Sequence, residues 1–105
     1  MELKRVVVTG FGAITPIGNN AHEYWENLVK GVSGAAPITL FDSTNFKTKF
    51  ACEVKNFNPL DHFEKKEAKK MDRNTQLGIV AAREAVSHSR IIEDNVDKDR
   101  VGVIW

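Results

Sequence analysis

Two short apolar runs near the two ends of the chain constrain its fold more than any other feature. Residues 6–8 are three valines, and residues 101–105 read Val-Gly-Val-Ile-Trp. Runs this short and rich in β-branched residues are typical of strands buried on both faces of a parallel sheet. Two parallel strands cannot cover their own faces and edges. We therefore expect an α/β fold that is incomplete in this chain, with a small complete domain whose terminal strand pairs in an oligomer as the alternative.

Composition narrows the class of protein further. The residues AVILMFWYC make up 42% of the chain, and 15 Lys and Arg stand against 14 Asp and Glu, for a formal net charge of +1. This apolar share excludes a disordered or collagen-like chain, and the charge balance argues against bulk binding of nucleic acid. No apolar run approaches the roughly 18 residues of a bilayer span, and one cysteine cannot form an internal disulfide. We expect a soluble cytoplasmic protein without a signal peptide.

Local signals predict a first helix that begins near residue 21. Asn20 followed by Glu23 resembles a capping box. Lys30 suits the last turn of a helix, and Gly31 suits the position beyond it. The apolar residues that would share one face of this helix are Tyr24, Trp25, Leu28 and Val29. Residues 32–45 have no sustained period and are predicted to be a loop.

Residues 46–55 alternate with a period of two. One phase contains Phe46, Thr48, Phe50, Cys52 and Val54, and the other is mostly charged. This pattern predicts a half-buried strand or hairpin. Because Cys52 lies on the apolar phase, we interpret it as a buried structural cysteine. A nucleophilic cysteine would instead need activation by a helix N-terminus or a nearby cation.

Two further helical stretches are predicted in the second half of the chain. Asn58 and Pro59 open the first, since proline is tolerated at the first position of a helix. The second is expected to begin at Asp72 or Asn74, and its face of small residues would permit close packing against a helix or a sheet. That face consists of Leu77, Gly78, Ala81, Ala82 and Ala85. Residues 87–100 are predicted to be an acidic connecting loop.

None of the patterns that commonly carry chemistry is complete. Gly10 and Gly12 form a Gly-x-Gly turn after a predicted strand, but Thr15 stands where a dinucleotide-binding fingerprint has its third glycine. We interpret these glycines as permitting close backbone approach, with nucleotide binding as the alternative. The three histidines have no metal-ligand spacing with other residues. They are His22, His62 and His88.

A local excess of positive charge stands out against the balanced total. Residues 47–73 hold eight Lys and Arg against five Asp and Glu. Within this region four basic residues are spaced i, i+3, i+4 and i+7, so on one helix they would form a single positive stripe. They are Lys66, Lys69, Lys70 and Arg73. Spacing alone favours a solvated helix face over a docking surface for an acidic partner. Without interleaved aromatic residues, nucleic acid is a weaker third candidate.

Several successive segments resemble one enzyme family. Residues 4–19, which include Val-Thr-Gly-Phe-Gly-Ala-Ile-Thr-Pro, are similar to the opening of the β-ketoacyl-acyl carrier protein synthases. Later stretches follow in the order of the elongating, type II enzymes. These stretches are residues 41–42, 49–51, 54–57, 66–73 and 76–81. Their order and spacing over nearly the whole chain make the combined resemblance specific.

The resemblance implies a thiolase-type fold, in which two related α/β halves form a layered αβαβα subunit that usually dimerises. Residues 1–105 would then be the first part of the N-terminal half, with the rest of the fold absent from this chain. The implied activity of the complete protein is that of an acyltransferase of fatty acid biosynthesis, a 3-oxoacyl-[acyl-carrier-protein] synthase. Such an enzyme elongates acyl chains by decarboxylative condensation of malonyl-acyl carrier protein with an acyl-enzyme thioester, without a metal or organic cofactor.

The resemblance places the catalytic residues of the family outside this chain. The acylated cysteine and both catalytic histidines lie downstream in the family, so Cys52 and the three histidines present here inherit no catalytic role. Covalent storage of the acyl group divides one difficult carbon–carbon bond formation into easier steps. We therefore expect the 105 residues alone to be inactive.

One functional feature of the family does fall inside the chain. In the family, a basic helix that precedes a Met-Asp pair helps to dock the acidic acyl carrier protein, and this helix maps onto Lys66, Lys69 and Lys70. The resemblance therefore favours docking over a plain solvated face. At the middle position, where relatives commonly have arginine, Lys69 keeps the charge and lacks the planar fork. The alternative function is a silent relative, either a chain-length-factor-like partner or a module that binds the carrier protein.

Overall fold

The computed structural model describes residues 1–105, which form three α-helices and one very small sheet. The helices are α1 (Ala21–Val29), α2 (Lys65–Ala68) and α3 (Arg73–Ser89). The strands β1 (Ala36–Pro37) and β2 (Phe50–Ala51) pair in antiparallel orientation. Two 3-10 turns occupy Pro59–Asp61 and Lys98–Arg100.

Helix α1 forms as its local sequence predicts. The Asn20 side chain accepts a hydrogen bond from the Glu23 backbone N–H at 2.8 Å, and the Glu23 carboxylate accepts from the N–H of the residue before the cap at 2.9 Å. At the other end Gly31 has φ +70°, and the following N–H reaches back to the Asn27 carbonyl at 2.9 Å. Nearby residues therefore satisfy free backbone groups at both ends, through the Asn20 cap at the N-terminus and a Schellman motif at the C-terminus.

The basic stretch is not one continuous helix, so the predicted four-residue stripe is wrong. Helix α2 ends at Ala68, and Asp72 has extended backbone angles (φ −72°, ψ 167°) before α3 begins. The Asp72 carboxylate accepts a hydrogen bond from the Thr75 N–H at 2.7 Å. Aspartate competes for backbone donors in this way and favours a cap over a helix interior. Helix α3 begins at Arg73, between the two predicted starts at Asp72 and Asn74, with Asp72 as its N-cap.

The two apolar runs near the ends do not form the predicted strands within this chain. Residues 1–9 and 101–105 are exposed and have no strand pairing. A strand depends on hydrogen bonds to a partner strand and on cover over its faces. Neither run has a partner here, so an apolar composition alone does not give a strand.

The prediction for residues 46–55 is only partly right. Strand β2 is two residues long, and it pairs with β1 inside the stretch predicted to be a loop. Cys52 and Phe50 are exposed, so the prediction of a buried Cys52 is wrong. The pleat places these two residues on the same side of the strand. Because a two-stranded sheet of this length covers neither of its faces, that side remains open.

The overall shape is open. The radius of gyration is 17.6 Å, against about 13 Å for a compact domain of this length. The accessible surface is 9022 Å², against about 5,900 Å² for a folded monomer of this mass. Only three residues are buried, namely Gly18, Phe63 and Gln76. None of the helices has both the length and the apolar composition needed to cross a membrane.

Helix α3 is the element against which the N-terminal segment packs. A Cβ on Gly12 would overlap the Ala81 carbonyl oxygen, and a Cβ on Gly10 would overlap backbone atoms of Ala85 and Ser89 near the end of α3. A Cβ on Gly78 would overlap the Trp105 ring. These contacts confirm that α3 has a small-residue face for close packing and that the Gly-x-Gly turn permits close backbone approach.

Candidate docking surface

The strongest candidate surface is a short basic stretch, residues 64–71, which we call the lysine segment. It contains Lys65, Lys66, Lys69 and Lys70, and all four side chains are exposed. None of them takes part in an ion pair. The ion pairs of the chain lie on α1 and beyond the end of α3. The segment therefore presents its positive charge to solvent without compensation from a carboxylate in contact.

Arg73, the fourth residue of the predicted stripe, lies in a different environment. It is partly buried, and its guanidinium donates a hydrogen bond to the Val54 carbonyl at 3.3 Å. The same group lies over the Phe57 ring, 5.5 Å from the centroid. These contacts attach the start of α3 to residues 54–57 and withdraw Arg73 from the lysine segment.

Lys55 is also engaged with the chain itself. Its ammonium group donates to the carbonyls of Pro16 at 3.1 Å and Gly34 at 2.8 Å. The preceding acidic residue, Glu53, accepts from the Thr39 hydroxyl at 2.8 Å. This hydrogen bond, with the Leu40 and Thr39 N–H groups, holds the pKa of the Glu53 carboxyl below its ordinary value. Lys55 and Arg73 thus bind backbone carbonyls of the chain itself. The sequence alone did not distinguish these two cations from Lys66, Lys69 and Lys70.

A second concave region lies between α1, α3 and the N-terminal segment. Its volume is about 670 Å³, and its walls include Phe11, Trp25 and Glu84. The Glu84 carboxylate accepts hydrogen bonds from the N–H groups of Ala13 at 2.9 Å and Ala21 at 2.8 Å. It therefore ties α3 to the N-terminal segment and to the first turn of α1. Sequence reasoning missed Glu84, although a carboxylate between the small residues of α3 was a signal.

The titratable residues weighed as catalytic candidates do not come together. His88 accepts a long hydrogen bond from the Phe11 N–H at 3.4 Å, and His62 stacks on the Phe57 ring at 5.3 Å. His22 lies 3.6 Å from a carboxylate oxygen of Glu26, one turn along α1. No three His, Cys, Asp or Glu side chains lie together in an arrangement that could hold a metal ion.

Comparison with known proteins identifies the family. Residues 3–105 match the family described as "Beta-ketoacyl synthase, N-terminal domain". The chain is 54% identical over 101 residues to a 3-oxoacyl-[acyl-carrier-protein] synthase 2 of Staphylococcus aureus (strain N315), which covers 95% of this chain and 24% of that protein. It is 41% identical over 104 residues to the protein of the same name from Synechocystis, which covers 99% of this chain and 25% of that protein.

A solved structure agrees with these matches. The structure described as "The ishigamide ketosynthase/chain length factor" has a TM-score of 0.71 and 38% sequence identity. The match covers 91% of this chain and 23% of the solved one. The chain thus spans about a quarter of the length of the proteins that it matches. With residues 3–105 matched and a related fold over most of its length, this chain belongs to the beta-ketoacyl synthase family.

Proposed function

We propose that residues 1–105 are the first part of a 3-oxoacyl-[acyl-carrier-protein] synthase that elongates fatty acyl chains in the cytoplasm. The observation that carries this proposal is the family match over residues 3–105. It is supported by relatives of that name at 54% and 41% identity. The complete enzyme would condense malonyl-acyl carrier protein with an acyl group held as a thioester, and the 105 residues alone would be inactive.

The complete enzyme would have a layered αβαβα subunit that dimerises. The open shape of this chain supports the proposal, since its apolar end segments are exposed. Val7, for example, is 61% exposed, and Trp105 is 82% exposed. In the complete subunit these segments would lie beside strands of the same sheet, which would provide the hydrogen-bond partners and the cover that they lack here.

Within this enzyme, Lys66, Lys69 and Lys70 would dock the acidic acyl carrier protein. Their exposure and lack of ion pairs support this role, whereas Lys55 and Arg73 are held by backbone carbonyls. Uncompensated surface charge raises the rate of encounter with an oppositely charged partner and fixes its orientation. Docking of this kind would lower KM for substrates on the carrier protein and leave the chemical step unchanged.

Charge reversal in the complete synthase tests this docking role. The triple variant Lys66→Glu, Lys69→Glu, Lys70→Glu should raise KM for carrier-protein substrates by roughly tenfold or more at low salt, because the attraction becomes repulsion. The kcat should change little, and so should KM for an acyl-pantetheine thioester. The matched control reverses Lys30, Lys47 and Lys49, which are exposed and lie outside both the lysine segment and the apolar end segments. An unchanged KM in the first variant at low salt would contradict docking.

A catalytically silent partner is the second candidate, because the solved relative includes a chain length factor by its description. The two functions differ in covalent chemistry. A complete synthase is incubated with acyl carrier protein that holds an acyl group as a thioester. The synthase should gain the mass of that acyl group on a cysteine downstream of residue 105, and the carrier protein should be released with a free thiol. A silent partner should bind the carrier protein without gaining that mass.

A further inference from the structure

We propose that Gln76 and Arg83 of α3 are positioning residues that fix the lysine segment from its two ends. The inference rests on the proposed docking function, and it adds two residues of α3 to the three lysines of that function. The proposal is based on two observations. Helix α2 in the lysine segment is short, and α3 makes specific contacts at both ends of that segment.

The lysine segment cannot hold its own conformation. Helix α2 has only four residues, and its N-cap residue Glu64 makes no capping hydrogen bond with its side chain. Isolated helices shorter than about 12 residues are marginal in water. In addition, Lys65 and Lys69 are four residues apart, as are Lys66 and Lys70, and like charges at this spacing destabilise a helix. The helical turn must therefore be stabilised from outside.

Gln76 provides that support at the C-terminal end of α2. Gln76 is 7% exposed, and no other polar residue with a side chain is buried in the molecule. The amide nitrogen donates to the Ala68 carbonyl at 3.0 Å and reaches the Met71 carbonyl at 3.5 Å. Ala68 is the last residue of α2, where carbonyl groups lack partners within the helix. Gln76 of α3 thus caps the C-terminal end of α2. The two carbonyls that it contacts lie before Lys69 and after Lys70 along the chain.

Arg83 provides the support at the N-terminal end. Its guanidinium donates to the His62 carbonyl at 2.8 Å and lies over the Phe63 ring, 4.8 Å from the centroid. Phe63 is only 6% exposed and directly precedes the lysine segment. Arg83 lies two turns of α3 beyond Gln76, so the two side chains hold points on both sides of the segment.

The middle of the segment is less closely packed. A groove of about 330 Å³ lies between it and α3, lined by residues that include Glu67, Lys70 and Ile79. Because this groove is open, apolar packing fixes the segment less firmly than a filled interface would. The contacts of Gln76 and Arg83 therefore determine where the lysine side chains are presented.

The test uses the complete synthase with the variant Gln76→Met, which keeps the length of the side chain and removes its donor. KM for carrier-protein substrates should rise roughly two- to tenfold, the range that corresponds to one lost neutral hydrogen bond. The kcat should not change, and neither should KM for an acyl-pantetheine thioester. In the Lys66→Glu, Lys69→Glu, Lys70→Glu background the same substitution should add nothing, since there is no docking charge left to position.

Hydrogen exchange gives a readout that does not depend on activity. The amides of Ala68, Lys69 and Lys70 form the hydrogen bonds of this turn, and their exchange should accelerate in Gln76→Met. The control is Asn74→Met, another amide-to-thioether change on α3, at an exposed residue whose side chain makes no hydrogen bond. If Gln76→Met does not fold, Arg83→Lys keeps the charge, removes the planar guanidinium that lies over the Phe63 ring, and should show the same pattern.

The outcomes separate this inference from docking itself. If lysine reversal raises KM and neither Gln76→Met nor Arg83→Lys does so, docking stands and the positioning role is overturned. If lysine reversal has no effect, the proposed docking has failed, and the exchange rates then decide whether α3 fixes the segment. Unchanged exchange at residues 68–70 in both variants would overturn the positioning inference on its own.

Discussion

Helices α1 and α2 are short elements that both contact α3, yet they are stabilised in different ways. Helix α1 has capping residues at both ends within its own sequence, from Asn20 to Gly31. Helix α2 has no side-chain cap of its own, and the cap at its end comes from Gln76, eight residues beyond Ala68. The comparison teaches that the backbone groups at a helix end can be satisfied by neighbouring residues or by another element, and α1 uses both because its Ala21 N–H donates to Glu84 of α3. The second kind depends on where that element lies.

The largest expected effect comes from weakening the hydrogen bond between the first turn of α1 and Glu84 of α3. Glu84→Gln removes the charge that accepts hydrogen bonds from the Ala13 and Ala21 N–H groups. It should reduce the local stability of α1 by about 2 kcal/mol, because hydrogen bonds to charged groups are the stronger ones. The measurement is the free energy of opening of α1 amides by native-state hydrogen exchange in the complete synthase.

Glu67→Gln is the control for this change, since Glu67 is exposed on α2 and its carboxylate has no hydrogen-bond partner. Equal effects of the two substitutions would show that the Glu84 contact contributes nothing specific to α1.

A smaller effect should distinguish the local caps of the two helices. Asn20→Ala should destabilise α1 by about 1 kcal/mol, the usual cost of a lost N-cap. Glu64→Ala, at the corresponding position of α2, should stay within about 0.5 kcal/mol because no capping bond is lost. Both are measured from the exchange of the first amide that is hydrogen-bonded to the N-cap carbonyl, which is Tyr24 in α1 and Ala68 in α2. A larger loss for Glu64→Ala than for Asn20→Ala would reverse the comparison.

The smallest effect concerns the cap of α3, which depends on pH. Hydrogen bonds from the Thr75 hydroxyl and then its backbone N–H hold the pKa of the Asp72 carboxyl below its ordinary value. A carboxyl with a lowered pKa in the folded state stabilises the fold above its unfolded pKa of about 4, and this contribution is lost as pH falls through the folded pKa.

Asp72→Asn keeps a good N-cap and removes the titration. Its urea unfolding midpoint should match that of the parent protein at pH 7. It should fall less steeply than the parent's midpoint as the pH falls below about 4. Identical acid dependence in the two proteins would show that the Asp72 cap does not contribute to acid sensitivity.

Sequence reasoning succeeded where the deciding contacts are local. The bounds of α1 and the start of α3 depend on side chains within three residues of each end, so Asn20, Gly31 and Asp72 were sufficient signals. The close packing on α3 was also predictable, because small residues recur on one face of the helix and the Gly-x-Gly turn needs such a surface. The acidic stretch after α3 is likewise irregular, with one 3-10 turn.

Sequence reasoning failed where the structure of a segment depends on a partner that is distant in sequence. The strands predicted at residues 6–8 and 101–105 need neighbouring strands, and Cys52 needs a covering layer, so an apolar pattern alone did not settle their burial. The continuous basic stripe failed because Asp72 caps a new helix, and Arg73 then turns to Phe57. The roles of Gln76, Arg83 and Glu84 in the candidate site were also missed, since each of these side chains binds the backbone of another segment.

The placement of Gln76 and Arg83 on α3 has a practical consequence for protein engineering. Helix α3 has 17 residues, a length of about 25 Å. Lysines transferred alone to another scaffold would carry the charge of the proposed docking surface without its geometry. A transplant that keeps the surface must run from Phe57 through Arg83 as one piece, so that the recipient receives the side chains that hold the lysines together with the lysines themselves.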